Sequence, residues 1–195
     1  MKLSRIALTL IVAAGVATPA LRLSAADAGP YLTLDGGVNI LQDVTVKQPG
    51  HANQKAEMDT GFRVGAIGGY NLNEWAAVEL ESGFMYNGVK HSDTWLGAVP
   101  ILGNVVFRYE NSSGFVPYIG VGAGGAYTMV QGGGNDQSDF VFAYQAKVGV
   151  AYKISDNMAV DLGYKFFGTA EQKYDNLKLT DIYAHYVGLS ITLKF

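Results

Sequence analysis

The sequence predicts an all-β fold: an antiparallel up-and-down transmembrane β-barrel of eight strands. Three observations carry this. Period-two alternation of apolar with small, polar or charged residues recurs along the chain in eight segments. The connections between them alternate between tight polar turns and longer loops. The last segment, HYVGLSITLKF at 185–195, alternates without a break up to a terminal Phe, as expected of a strand that must pair on both sides to close a ring in lipid.

The N-terminus comes before any strand. Lys2 and Arg5 precede an apolar run over 6–17, and Ser24-Ala25-Ala26 and Ala26-Asp27-Ala28 supply small residues for cleavage. Residues 1–28 are therefore expected to be a secretory signal peptide, with the barrel domain over 29–195. No later stretch approaches the roughly 18 consecutive apolar residues of a spanning helix.

The strands follow in order. Segment 30–40 sets Leu32, Leu34, Val38 and Ile40 against Asp35 and Gly37, and 61–71 sets Phe62, Val64, Ala66 and Tyr70 against Arg63, Gly65 and Gly69. Segment 75–87 sets Val78, Leu80, Phe84 and Tyr86 against Glu79, Glu81 and Gly83. In 97–110, Val99, Ile101, Val105 and Phe107 alternate with a face bearing Arg108; in 115–128, Phe115, Ile119, Val121 and Tyr127 alternate with glycines. Segment 140–152 opposes Phe142, Tyr144, Val148 and Val150 to Lys147, and 158–167 opposes Val160, Leu162, Tyr164 and Phe166 to Asp161 and Lys165. The last, 183–195, carries Val187, Leu189, Ile191, Leu193 and Phe195 on one parity. NLNE, ENSSG and KISDN have hairpin-turn chemistry, while 41–60, 88–96, 129–139 and 168–182 read as long loops. YNLNEWAAVEL (70–80) and YKISDNMAVDL (152–162) align without a gap, one hairpin design used twice.

Parity assigns the faces. On the apolar parity, aromatics gather at the strand ends and aliphatics between them, which describes two aromatic belts around a lipid-facing band. The other parity carries Asp35, Arg63, Glu79, Glu81, Arg108, Lys147, Asp161 and Lys165 among glycines. Four acids and four bases can neutralise one another, and eight strands enclose just enough room for side chains to fill. The expected interior is a polar plug. The opposite orientation, a soluble lipocalin-like barrel, would have to crowd rings from most strands into one narrow lumen.

Composition narrows the function. Only 16% of residues are charged, 12% are aromatic, and the net charge of −3 offers no basis for a nucleic-acid partner. Without cysteine, neither a disulfide nor a thiolate metal site can form.

FRVGAIGGYNL, VPILGNVVFRYE, FVPYIGVGAGGAY and FAYQAKVGVAYKISDNMAVDLGYKF together resemble the outer-membrane β-barrel domain family of OmpA-type and opacity-type small barrels. The resemblance implies an outer-membrane location, and for Val187, Leu189, Ile191, Leu193 and Phe195 a similarity to the C-terminal signal read by the outer-membrane assembly machinery. The expectation is of a barrel without the peptidoglycan-binding domain of full-length OmpA-type proteins, so without that tethering role.

Some small outer-membrane barrels modify lipopolysaccharide acyl chains, which makes the histidines and their neighbours candidates for catalysis. His51, His91 and His185 fall in or beside the long loops, the last near Ser138 or Asp139, and His91-Ser92-Asp93 has the residue types of a triad. Adjacent loop residues seldom converge on one substrate atom, and no spacing resembles the deacylase barrels. QGGGNDQSD matches no calcium-loop spacing, and VGAGGAY opens no helix to hold phosphate. No catalytic, cofactor or metal site is expected. Lys47, Lys55, Lys90, Lys173 and Lys178 are read as solubilising loop residues able to meet lipopolysaccharide phosphates. The functional expectation is an outer-membrane barrel serving envelope integrity, or surface recognition and adhesion, with membrane lipid, lipopolysaccharide and a surface ligand as partners. A small channel and a lipid A-modifying enzyme are the alternatives.

Overall fold

A computed structural model describes residues 28–47, 54–132, 136–174, 177–180 and 182–195. In chain order the strands are β1 (Gly29–Leu41), β2 (Val44–Lys47), β3 (Gln54–Ala56), β4 (Gly61–Asn71), β5 (Ala76–Gly88), β6 (Trp95–Arg108), β7 (Phe115–Gln131), β8 (Gln137–Lys153), β9 (Met158–Thr169), β10 (Gln172–Tyr174), β11 (Leu177–Thr180) and β12 (Tyr183–Lys194). The eight long strands form the predicted closed antiparallel barrel, in the order β1-β12-β9-β8-β7-β6-β5-β4. Residues 1–27, most of the expected signal peptide, lie outside the described residues, as does His51.

Closure is made by β1 and β12, paired from Tyr31↔Lys194 to Leu41↔Ala184. Beyond the last strand residue, Phe195 N donates to Pro30 O at 3.1 Å. Strands of 11 to 17 residues meet or exceed the nine to eleven or so needed to cross a hydrocarbon layer, and the surplus lies at the long-loop end.

There the structure corrects two expectations. The connection at 129–139 is not a long loop: β7 and β8 keep pairing out to Val130↔Gln137, and Val130 packs against the Met58 and Ile182 cluster there. The loops at 41–60 and 168–182 also contain strands, which join as a second sheet ordered β10-β11-β2-β3. This sheet prolongs the wall in unbroken register. Leu41 faces Ala184, and four residues on Thr45 faces Thr180. Likewise Tyr183 faces Gly168 and Gln172 faces Leu179. VTVK and LKLT carry the alternation that signals these short strands.

The short turns are held by their own side chains. Asn73 Oδ1 accepts from Trp75 N and Ala76 N at 3.0 and 2.8 Å. Asn111 Oδ1 accepts from Ser113 N at 2.8 Å, and Gly114 supplies a φ of 78° that disfavours a residue with a side chain. One wall ladder is interrupted. Between Ser82↔Ile101 and Met85↔Ala98 no pairing is made, opposite Pro100, which has no N–H to give.

Leu34, Leu80, Val121, Leu162 and Leu189 stand outside the wall, each exposed by more than half. Rings flank this band. Trp75 stacks on Phe107 at 6.0 Å and Phe115 meets Tyr152 at 4.9 Å at the short-turn end. Phe62 meets Tyr86 at 5.5 Å and Phe166 meets Tyr183 at 5.7 Å at the other. Val121 lies midway between the belts, so Val121→Arg should lower unfolding free energy in lipid vesicles by about 2–4 kcal/mol. Urea titration of refolded protein reads this, and an unchanged midpoint would place Val121 away from lipid.

Candidate functional site

Inward positions on six wall strands bring charge into the lumen: Asp35 on β1, Arg63 on β4, Glu79 and Glu81 on β5, Arg108 on β6, Lys147 on β8, and Asp161 and Lys165 on β9. The structure gathers seven of them into one cluster, with Asp161 apart from it. Its centre is Glu81, which is 0% exposed. Glu81 Oε1 accepts from Arg63 Nη2 at 2.6 Å and Lys165 Nζ at 2.7 Å. Its Oε2 accepts from Gln145 Nε2 at 2.7 Å and Asn104 Nδ2 at 3.2 Å, with Lys147 Nζ 3.7 Å away.

Arg63 also donates Nη1 to Asp35 Oδ2, which Lys165 Nζ approaches at 3.2 Å. Glu79 extends the cluster toward the short turns: its Oε2 accepts from Lys147 Nζ, and its Oε1 accepts from Tyr31 OH at 2.6 Å. Arg108 closes that side, donating Nη2 to Tyr31 OH at 2.6 Å and Nη1 to Asn71 Oδ1. Asp161 is held differently. It accepts from the hydroxyls of Tyr118, at 2.8 Å, and Ser190, with no ion pair among the described residues. The cations also lie over rings, Arg63 at 5.1 Å from Tyr186 and Arg108 at 4.8 Å from Tyr31. Glycine makes room for the guanidinium: a Cβ at Gly65 would stand 2.9 Å from Arg63 Nη2 and 2.6 Å from Asp35 Oδ1.

The lumen is not polar throughout, and here the sequence expectation is corrected. On the short-turn side a chamber of about 90 Å³ is bordered by Tyr31, Thr33, Tyr118, Asp161 and Ser190. On the long-loop side the inward residues form an apolar cluster of Met85, Leu102, Ala126, Val141, Ala143, Phe167 and Ala184. The physical reason is simple: once the ions are paired in one layer, the rest of a side-chain-filled lumen is stabilised by groups that need no partner. The signal was visible, since Met85, Leu102 and Phe167 fall on the inward parity. Sequence reading also missed the uncharged polar members, Asn104, Gln145, Tyr31, Tyr118 and Ser190, which complete the hydrogen bonding of the carboxylates.

The residues weighed for chemistry do not converge. Ser92 Oγ donates to Thr94 Oγ1 at 2.9 Å, with no bond to His91 or Asp93 among the described residues. His185 sits on the outer wall against Tyr164 OH at 2.7 Å and Gln42 Nε2 at 2.7 Å. It does not meet Ser138, which bonds Tyr127 OH at 2.7 Å. No group of three His, Cys, Asp or Glu among the described residues is arranged to hold a metal ion. Lys90 approaches Glu57 at 3.5 Å in solvent. The backbone places Lys47, Lys55, Lys173 and Lys178 in the strands of the second sheet. Val187, Leu189, Ile191, Leu193 and Phe195 all face outward.

A family model described as the outer membrane protein β-barrel domain matches residues 6–195. Among solved structures, Neisserial surface protein A is similar over 86% of this chain and 97% of its own, at 18% identity and a TM-score of 0.63. OprG of Pseudomonas aeruginosa is similar over 85% of this chain and 96% of its own, at 16% identity and a TM-score of 0.57. At such identities these likenesses concern the fold alone. Comparison with curated protein sequences gave no match.

Removing Glu81 leaves Arg63 and Lys165 short of a buried counter-ion. Glu81→Ala should destabilise the barrel by about 3–5 kcal/mol. Lys90→Ala breaks only a solvated pair and should cost less than about 1 kcal/mol. Equal unfolding midpoints in detergent would contradict the central position of Glu81.

Proposed function

The chain belongs to the outer membrane protein β-barrel domain family, and on that footing we propose that it is a closed, non-enzymatic scaffold of the outer membrane. Its wall seats it in lipid, adding to envelope integrity, and its long-loop end serves surface recognition or adhesion. The observation that carries this reading is the ionic layer around Glu81, which ties β1, β4, β5, β8 and β9 together across the lumen. An ion crossing the barrel would have to displace partners that are almost wholly desolvated, at a cost of several kcal/mol for each charge uncovered. The layer therefore acts as a plug.

The recognition half of the reading is supported by the second sheet. β2, β3, β10 and β11 continue four adjacent wall strands beyond the aromatic belt. In an outer-membrane barrel the longer connections lie on the extracellular side, so this sheet is a shaped surface offered outward. Lysines in its strands suit lipopolysaccharide phosphates or an anionic surface ligand as partners. Val187, Leu189, Ile191, Leu193 and Phe195, outward and in sequence on the closing strand, are the residues we assign to recognition by the assembly machinery. A lipid-modifying reading finds no support in His91, Ser92 and Asp93, whose hydroxyl is engaged by Thr94.

Two outcomes are expected. Purified protein in planar bilayers should give no steady, reproducible single-channel conductance. A stable conductance step that persists in wild-type protein would replace the plug with a pore. Phe195→Ala should reduce the membrane-inserted, heat-modifiable fraction in cells several-fold while export continues. Unchanged insertion would remove the assembly role from Phe195.

A further inference from the structure

The unbroken register of the second sheet fixes the face on which its lysines lie. Ala184 belongs to the apolar cluster inside the lumen, and Leu41, its partner across the β1–β12 ladder, packs against that cluster. Thr45 and Thr180, each four residues further up the wall, pair in the same register and so stand on the same face. Lys55 is opposite Thr45, and Lys47 is two residues from it. Lys178 is opposite Lys47, and Lys173 is opposite Lys178. All four lysines of the sheet therefore share the face that continues the lumen side of the wall. Val44, Val46, Leu177 and Leu179 take the other parity, which continues the lipid side.

Sheet pairing alone gives no reason for such a grouping. Lys173, Lys178 and Lys47 form a row across three adjacent strands, about 10 Å from first to last. Lys55 lies diagonal to Lys47 at about 7–8 Å. Like charges directly opposite each other destabilise a strand pair, and this sheet sets two such pairs side by side. The strand sequences VTVK, QKA, QKY and LKLT contain no acid to relieve them. Of the acids beside β2 and β3, Glu57 pairs with Lys90 and Asp43 Oδ1 accepts from Met58 N at 3.4 Å. Four positive charges on one face stand against a net charge of −3 for the whole chain. An anion laid along the row would turn the repulsion into attraction.

We propose that the lumen-side face of the second sheet binds a soluble polyvalent anion of the phosphate-chain type, laid across the strands with one charge to each lysine of the row. Lysine suits this ligand, since an ammonium is a point charge that phosphate oxygens satisfy without a fixed geometry. The inference rests on the recognition role of the long-loop end and narrows its ligand. Lipopolysaccharide phosphates lie in the membrane around the wall, on the side of Val44 and Leu179, whereas the lysine face belongs to the mouth of the barrel.

The test is calorimetric titration of the full barrel in phosphatidylcholine nanodiscs with tripolyphosphate and, at equal ionic strength, with orthophosphate. Tripolyphosphate is expected to bind with a Kd about ten-fold lower, the worth of one added charged contact. Lys178→Ala, at the centre of the row, should weaken it about ten-fold, with Lys47→Ala as the second variant should the first fail to insert. Lys153→Ala, beside Glu110 at the short-turn end, should not weaken it. Lys178→Ala should also leave the unfolding midpoint without anion no lower than that of wild type, because it removes two opposed like charges; a lysine kept only for structure would lower it. The difference between wild type and variant should persist when lipopolysaccharide is built into the nanodisc. Equal affinities for the two anions, a loss in Lys153→Ala instead of Lys178→Ala, or a difference that vanishes with lipopolysaccharide present would overturn the proposal. The chain has no cysteine, so a membrane-impermeant maleimide on intact cells carrying Lys178→Cys reads the surface role separately. Absence of labelling would overturn that role and the proposal with it; labelling without anion binding would overturn the proposal alone.

Discussion

Everything in this molecule follows from one constraint: in hydrocarbon each backbone N–H and C=O must find its partner within the protein. The β1–β12 ladder meets it by turning an open sheet into a ring. An open edge there would expose a row of unpaired groups to lipid, and no side-chain contact could offset that. Closure in turn forces each strand to have one face in lipid and one in the lumen, and the two solvents demand opposite chemistry. The single tolerated break in a wall ladder is at Pro100, where an N–H is missing anyway.

The lumen is then a problem of filling a narrow tube with groups that come from strands far apart in sequence. It is solved in layers. Arg63 bridges Asp35 and Glu81, Lys165 bridges the same two, and Lys147 links Glu81 to Glu79, so each buried charge answers another without leaving the layer. Hydroxyls and amides complete the carboxylates where a cation does not reach, as Tyr118 and Ser190 do for Asp161. Such a layer adds less net stability than a hydrocarbon filling of equal volume. What it does add is strand-to-strand specificity, because a slip of one residue in any of the six charge-bearing strands would turn its charge into lipid.

Either side of this layer the requirements relax, and the two ends diverge. The short-turn end is tight, polar and closed by side chains folding back on the main chain. The long-loop end carries the wall outward as a second sheet in the same register, over a lumen that has turned apolar. The ion-paired layer around Glu81 lies between the chamber of the short-turn side and the apolar cluster of the long-loop side.

How much of this could be read from the chain depends on the range of the interactions. Alternation is local, since neighbouring side chains on a strand point to opposite faces. The wall strands, their lipid faces, the aromatic belts and the inward parity of Arg63, Glu81 and Lys165 were therefore legible from residue spacing alone. The outer sheet was not read, though VTVK and LKLT alternate, because strands of three or four residues become stable only when the register of β1, β12, β4 and β9 is carried into them. Partnership inside the lumen was likewise a tertiary outcome. Glu81 meets Lys165 across 84 residues and Asn39 meets Asn87 across 48, and parity says which side chains face inward but not the height at which ring closure sets them. The height decides which charges pair and where the lumen turns apolar.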